Sequence, residues 1–195
     1  RPMLYYKGEL TQPEELAQQN MGKFMKILMI KRLESSFYAF RNTVKRFIAT
    51  YERFLEELEK GNVYVSKKHT NKIFEFLESN DEESIERLIE EEKAEKFSSN
   101  EFRKELKSDL ENDIAILREI EKSWQDIKRD PKLIAFKEKL GSKSIIKTQK
   151  LILFTESKET AEYLEKQLGE FYPNQVLAFS GSSSAATREK VIENF

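Results

Sequence analysis

A chain of 195 residues holds one domain or two, and with 35% charged against 38% hydrophobic residues it suits long solvated helices better than one compact sphere. Its formal net charge of −1 gives no overall pull towards nucleic acid or membrane, and the lack of cysteine excludes disulfides and thiolate metal sites and fits a reducing, cytoplasmic compartment. No apolar run has the length of a membrane span, and the opening at Arg1 carries no signal-peptide pattern, which suits an excised piece of a larger protein.

In chain order, Thr11-Gln12-Pro13-Glu14 reads as a helix start, a capping box with proline inside the first turn. Lys23, Lys26, Lys31, Arg32, Arg41, Lys45 and Arg46 form a basic cluster before and along the next helix. Phe37, Phe40, Val44, Phe47, Tyr51, Phe54 and Leu58 then step by three and four, a seam that Gly61-Asn62 ends. Val63-Tyr64-Val65 follows, with short helices expected near 70–79 and 82–92. The stretch 75–95 is strongly acidic, which reads as a solvated face or tip, or else as a docking surface for a basic partner. His69 has no metal-ligand companion at useful spacing and reads as a surface residue.

From Ser99 to about Arg129 a second long helix is expected, with Phe102, Leu106, Leu110, Ile114, Leu117, Ile120, Trp124 and Ile127 on one stripe. Each long helix would extend about 40 Å and needs a partner for its stripe, so an antiparallel pair is the economical arrangement. Asp130-Pro131-Lys132-Leu133 through Leu140 reads as a further helix. Lys150-Leu151-Ile152-Leu153-Phe154-Thr155 has the length of a buried strand, Ser157 to Leu168 reads as a helix N-capped by Ser157, and Gly169 falls at the C-cap position. Gln175–Ser180 reads as a second strand, Gly181-Ser182 as a turn, and the last helix carries Arg188 and ends on Phe195. Strand, helix, strand, helix predicts a parallel crossover. Two strands cannot close a core, so the sequence is expected to continue beyond Phe195. The expected fold is therefore mostly α with a partial α/β unit: a long antiparallel helical arm followed by a truncated parallel βαβα.

The "KLILFTESKETAEYLEKQL" block followed by "VLAFSGSSSAATREKVIENF" resembles the opening of the second RecA-like lobe of superfamily 2 helicases, in the branch of the Swi/Snf-type ATP-dependent DNA translocases and their bacterial relatives. In that family a strand and helix form motif IV, and a second strand ends in a Gly-Ser or Gly-Thr turn followed by an arginine and a phenylalanine, matched here by Gly181, Ser182, Arg188 and Phe195. Residues 130–140 resemble the helix leading into that lobe, and Leu28 to Ser36, with Lys31-Arg32, resembles the family's "L-x-x-[KR]-R" helix in its "KRLESS" form. The resemblance covers roughly residues 25–40 and 130–195. It implies lead-in helices over 1–34 that pack on the lobe, a helical insertion over 35–129, and an incomplete lobe over 130–195.

The resemblance also implies DNA or RNA, the missing first lobe and the rest of the second as partners, with ATP and magnesium bound by the whole enzyme. Its candidate nucleic-acid contacts are Lys31, Arg32, Thr155, Ser157, Lys158, Gly181, Ser182 and Arg188. At the start of the helix after Ser157 a phosphate could rest against free backbone N–H groups beside Thr155 and Lys158, although capping by Ser157 alone is the plainer role. Lys132, Lys137, Lys139, Lys143, Lys147 and Lys150 add salt-sensitive attraction for phosphate or are ordinary surface lysines. The chain has no G-x-x-x-x-G-K-[ST] loop and no magnesium-holding "DE-x-H" strand end, so no catalytic residue, metal ligand or bound cofactor is expected within it. A second reading, from a different class, is a non-enzymatic helical interaction module whose seam over 37–58 binds a partner.

Overall fold

In the computed structural model, residues 2–65, 95–142, 150–180 and 183–194 are described. The short helices expected near 70–79 and 82–92, His69, Gly181, Ser182 and Phe195 lie outside them. Helix dominates the described residues, which contain one sheet, of two antiparallel strands. No described helix is long and apolar enough to cross a membrane. The chain divides into two compact units, 1–31 with 41–125 and 32–40 with 126–195. The boundaries read from sequence, at 34 and 129, split the chain differently, because the short stretch 32–40 belongs with the C-terminal residues.

Helix α1 spans Gln12–Ser35, with Pro13 in its first turn. Ser36 interrupts, and α2 spans Phe37–Glu59. The break has a local cause: Ser36 Oγ accepts from the Ala39 amide at 3.0 Å, an N-cap that restarts the helix. Gly61, at φ 87°, ends α2 as the sequence anticipates, in a left-handed conformation that disfavours any residue with a Cβ. Strand β1 (Asn62–Val65) then pairs antiparallel with β2 (Glu95–Ser98), in a register placing Val63 opposite Phe97 and Val65 opposite Glu95.

The second strand has no counterpart among the expected elements, and the second long helix starts later than expected. Helix α3 spans Glu105–Gln125 rather than running from Ser99 to Arg129. Ser98 and Glu101 form a capping box around a 3-10 turn: Ser98 Oγ accepts from Asn100 N at 3.4 Å, and Glu101 Oε1 accepts from Ser98 N at 2.9 Å. Phe102 next forms an antiparallel bridge with Tyr6, so the backbone stays out of helix for several residues.

That bridge ties the N-terminal segment into the core of the first unit. Lys7 N donates to Glu101 O and Arg103 N to Tyr5 O, both at 2.8 Å, and the Tyr5 hydroxyl donates to Asp109 Oδ2 at 2.6 Å. Met3, Leu58, Val63, Val65, Phe102 and Leu106 make the buried cluster, with Tyr6 and Phe97 against it. The rings of Tyr6, Phe97 and Phe102 meet at 5.5–6.0 Å between centroids, tilted or edge to face. The ion pair Lys107–Glu59 (2.8 Å) and the contact of Arg118 with Glu52 connect α3 to α2 in opposite chain directions, as an antiparallel pair requires. On α2 the buried positions are Ala39, Phe40, Thr43, Val44, Ile48 and Leu58, whereas Phe47, Tyr51 and Phe54 are half-buried. The buried face is thus turned slightly from the expected seam, towards Ile48.

In the second unit, α4 spans Pro131–Ser142, α5 spans Lys158–Gly169 and α6 spans Ala185–Asn194. Asp130 caps α4, its Oδ1 accepting from Leu133 N at 3.0 Å while Pro131 occupies the first helical position. Gly169 is the last residue of α5 and does not adopt the left-handed conformation of a C-cap glycine; the following residue, Glu170, stays right-handed at φ −64°, and the positive φ falls later, at Asn174 (59°). The runs expected as parallel strands, 151–155 and 176–180, carry no strand pairing. A strand exists only through ladder bonds to a neighbour, and the Ala178 amide donates instead to Glu165 Oε1 at 2.8 Å. Leu151 to Phe154, Leu177 and Phe179 are exposed, Phe154 to 94%, and Val176 and Ala178 are half-buried.

Candidate functional site

The start of α5 is where side chains far apart in sequence converge. Ser157 N-caps this helix, its Oγ accepting from Thr160 N at 3.4 Å, and is 1% exposed. Arg32, from the end of α1, is 3% exposed and donates from Nη1 to the same Ser157 oxygen at 2.9 Å, across 125 positions of sequence. Thr160 Oγ1 shares hydrogen bonds with Ser35 Oγ at 2.7 Å and Ser36 Oγ at 2.8 Å. One serine cap on α5 therefore meets the serine cap that restarts the chain at α2.

A second set of contacts surrounds this junction. Lys132, in the first turn of α4, donates from Nζ to the backbone oxygens of Glu34 and of Ser35, the latter at 3.0 Å. Those carbonyls belong to the last turn of α1, where a cation is favoured by the negative end of the helix. Tyr163 of α5 stacks on Tyr38 with centroids 5.1 Å apart and planes 4° from parallel, and its hydroxyl donates to Asp130 Oδ2 at 3.3 Å. The end of α1 and the starts of α2, α4 and α5 are thereby fixed by side chains.

The candidate contacts divide by burial. Arg32 and Ser157 are inside, bonded to each other, and present no surface to a phosphate. Thr155 and Lys158 are exposed on either side of Ser157, and Thr155 Oγ1 accepts from the Ser157 amide at 3.3 Å. Lys31 is exposed but falls in the first unit. Arg188 is exposed near the Phe179 ring, 5.8 Å from its centroid, and is not part of the junction. Gly181 and Ser182 are outside the described residues; beside them Ser180 N donates to Ser183 Oγ at 2.9 Å. Ser35, Ser36, Thr160 and Asp130 are not among the site residues read from the sequence, and Lys132, read there as a phosphate-attracting or ordinary surface lysine, instead donates to the end of α1. The available signals were a serine pair interrupting a helical pattern and Asp-Pro at a helix start.

No group of three or more His, Cys, Asp or Glu among the described residues is placed to hold a metal. Around the end of α2, hydrogen bonds from Lys60 and Asn62 lower the Glu57 carboxyl, and a hydrogen bond to Glu59 raises Lys107. Comparison with protein-family models, with curated proteins and with solved structures gives no match.

Proposed function

We propose that the chain is part of an ATP-dependent superfamily 2 DNA helicase or translocase, contributing grip on the nucleic-acid backbone and coupling between lobes. The observation that carries this reading is the Arg32–Ser157 contact. The helicase-like "KRLESS" segment and the helix after "KLILFT" are remote in sequence, yet Arg32 of the first donates a hydrogen bond to Ser157, the residue that caps the second. A lead-in helix that belongs to the lobe needs such a contact. In this reading 151–155 and 176–180 become parallel strands in the assembled RecA-like lobe, whose neighbours supply the missing ladder bonds.

Roles follow from burial. Exposed Thr155 and Lys158 would touch phosphate, with Lys31 and Arg188 contributing charge, while buried Arg32 and Ser157 hold the helix start in position. ATP and magnesium belong to the whole enzyme, which works in the cytoplasm; the phosphate loop and the magnesium carboxylates are absent from this sequence.

Fluorescence anisotropy with labelled duplex and single-stranded DNA tests the proposal. Binding should weaken steeply with salt, and Lys158→Glu should lower affinity several-fold without changing the melting temperature. ATP turnover should stay at the buffer level with or without DNA. Salt-insensitive or undetectable DNA binding, or turnover abolished by a single substitution in this chain, would overturn it.

A further inference from the structure

Helix α1 is apolar on more than one side. Between Leu16 and Leu33 it carries no acidic residue, and from Lys23 onward nearly every position is apolar or basic. At about 100° per residue, Met25, Leu28 and Met29 share one side, and there Leu28 is buried and both methionines are half-buried. Leu16, Lys23, Ile27 and Ile30 fall on the opposite side, flanked by Lys26 and Lys31. All six are exposed, Ile27 to 53% and Ile30 to 57%. A helix with apolar residues all round is stable in water only when covered on each side. Single exposed apolar residues need no explanation, but two isoleucines one turn apart within a lysine frame form a patch.

From this we infer that the outer face of α1 is a docking surface for an acidic amphipathic helix of a partner protein. Charge complementarity selects the occupant: three exposed lysines, with no acid among them from Leu16 to Lys31, favour a negative partner and disfavour a basic one. The apolar centre selects helix over nucleic acid. Leucine and isoleucine offer no ring on which a base can stack, whereas an amphipathic helix places its own apolar residues at matching three- and four-residue spacing. The inference does not depend on the helicase reading, because none of its steps uses ATP, DNA or the junction at Ser157.

The test uses the full chain and a fluorescein-labelled peptide of two Leu-Glu-Glu-Leu-Leu-Glu-Glu heptads, read by anisotropy. The peptide should bind, and a peptide of the same composition with scrambled spacing should bind on the order of tenfold more weakly. Lys23→Glu/Lys26→Glu and, separately, Ile27→Ser/Ile30→Ser should each weaken binding by a similar factor, with circular dichroism melts unchanged because all four side chains are exposed. Three results would overturn it. One is equal binding of the scrambled peptide. Another is loss with the lysine variant alone together with competition by a DNA oligonucleotide, which would make the face a phosphate-binding one. The third is no peptide binding but a concentration-dependent doubling of mass in light scattering that Ile27→Ser/Ile30→Ser abolishes, which would make the occupant a second copy.

Discussion

Arg32 illustrates how burial reassigns a residue chosen by pattern. Its position beside Lys31 suggests two neighbouring cations facing one phosphate, yet Arg32 is inside the second unit and Lys31 is exposed in the first. A guanidinium taken out of water must be hydrogen-bonded, and Ser157 Oγ supplies one acceptor. Arg32→Ala should therefore cost about 2–3 kcal/mol, the scale of a buried charge-assisted hydrogen bond with its packing. Arg32→Lys should recover only part of this, since an ammonium lacks the planar fork. Urea denaturation of the three proteins checks it; an Arg32→Ala variant as stable as the parent would remove the junction from the account. Glu57 gives a residue-scale effect of another kind. Its carboxyl is held below the usual range by hydrogen bonds from Lys60 and Asn62, so the charged form is favoured in the folded state. That contribution is present above the unfolded carboxylate pKa and is lost as pH falls through the lower, folded value. Glu57→Gln should flatten this part of the acid limb of a stability–pH curve, by a small amount because the group is at the surface.

Element by element, the heptad-like seam of α2 points at the right face within one residue. Thr43, Val44 and Ile48 are buried while Phe47 is half-buried, because a helix packed on one side centres its contacts between successive ridges. Val44→Asp should accordingly cost about 3 kcal/mol or more, and Phe47→Asp about 1–2 kcal/mol. Thermal melts followed at 222 nm rank them, and the reverse order would return the core to Phe47. The strand before α3 and the turn that follows were missed for a definite reason. Ser98 and Glu101 carry a capping-box spacing that reads as the beginning of a long helix, but the turn they cap is a short 3-10 one, and Phe102 is drawn into a bridge with Tyr6. Ser98→Ala should cost about 1 kcal/mol, as loss of an N-cap does, and should loosen amide protection of β2 before that of α3.

For the whole molecule, the exposed apolar runs dominate. Leu151, Ile152, Leu153 and Phe154 are consecutive and exposed, as are Leu177 and Phe179. Alternation hides at most half of an extended run on one face, so exposure of four neighbours leaves both faces uncovered. Such a surface favours association between copies. Mass by light scattering should rise with concentration, and Ile152→Lys/Phe154→Lys should suppress the rise without lowering the melting temperature. A protein that stays monomeric at high concentration would show that these runs do not drive association.

Local rules in the sequence determined much of this protein. Helical periodicity fixed α2 and α3 as amphipathic elements, Gly61 fixed the end of α2 through its positive φ, and Ser157 fixed the start of α5 through its cap. Each is a decision made within one or two turns of chain, where side-chain spacing and backbone sterics act directly. What the tertiary structure decided has long sequence separation. The pairing of β1 with β2, the insertion of Met3 and Tyr6 beside Phe102, and the burial of Arg32 against Ser157 join segments that no local pattern connects. The same distinction explains 151–155 and 176–180. Their apolar composition is a local property that reads as strand, but a ladder bond belongs to two segments at once, and whether it forms depends on which backbone lies alongside.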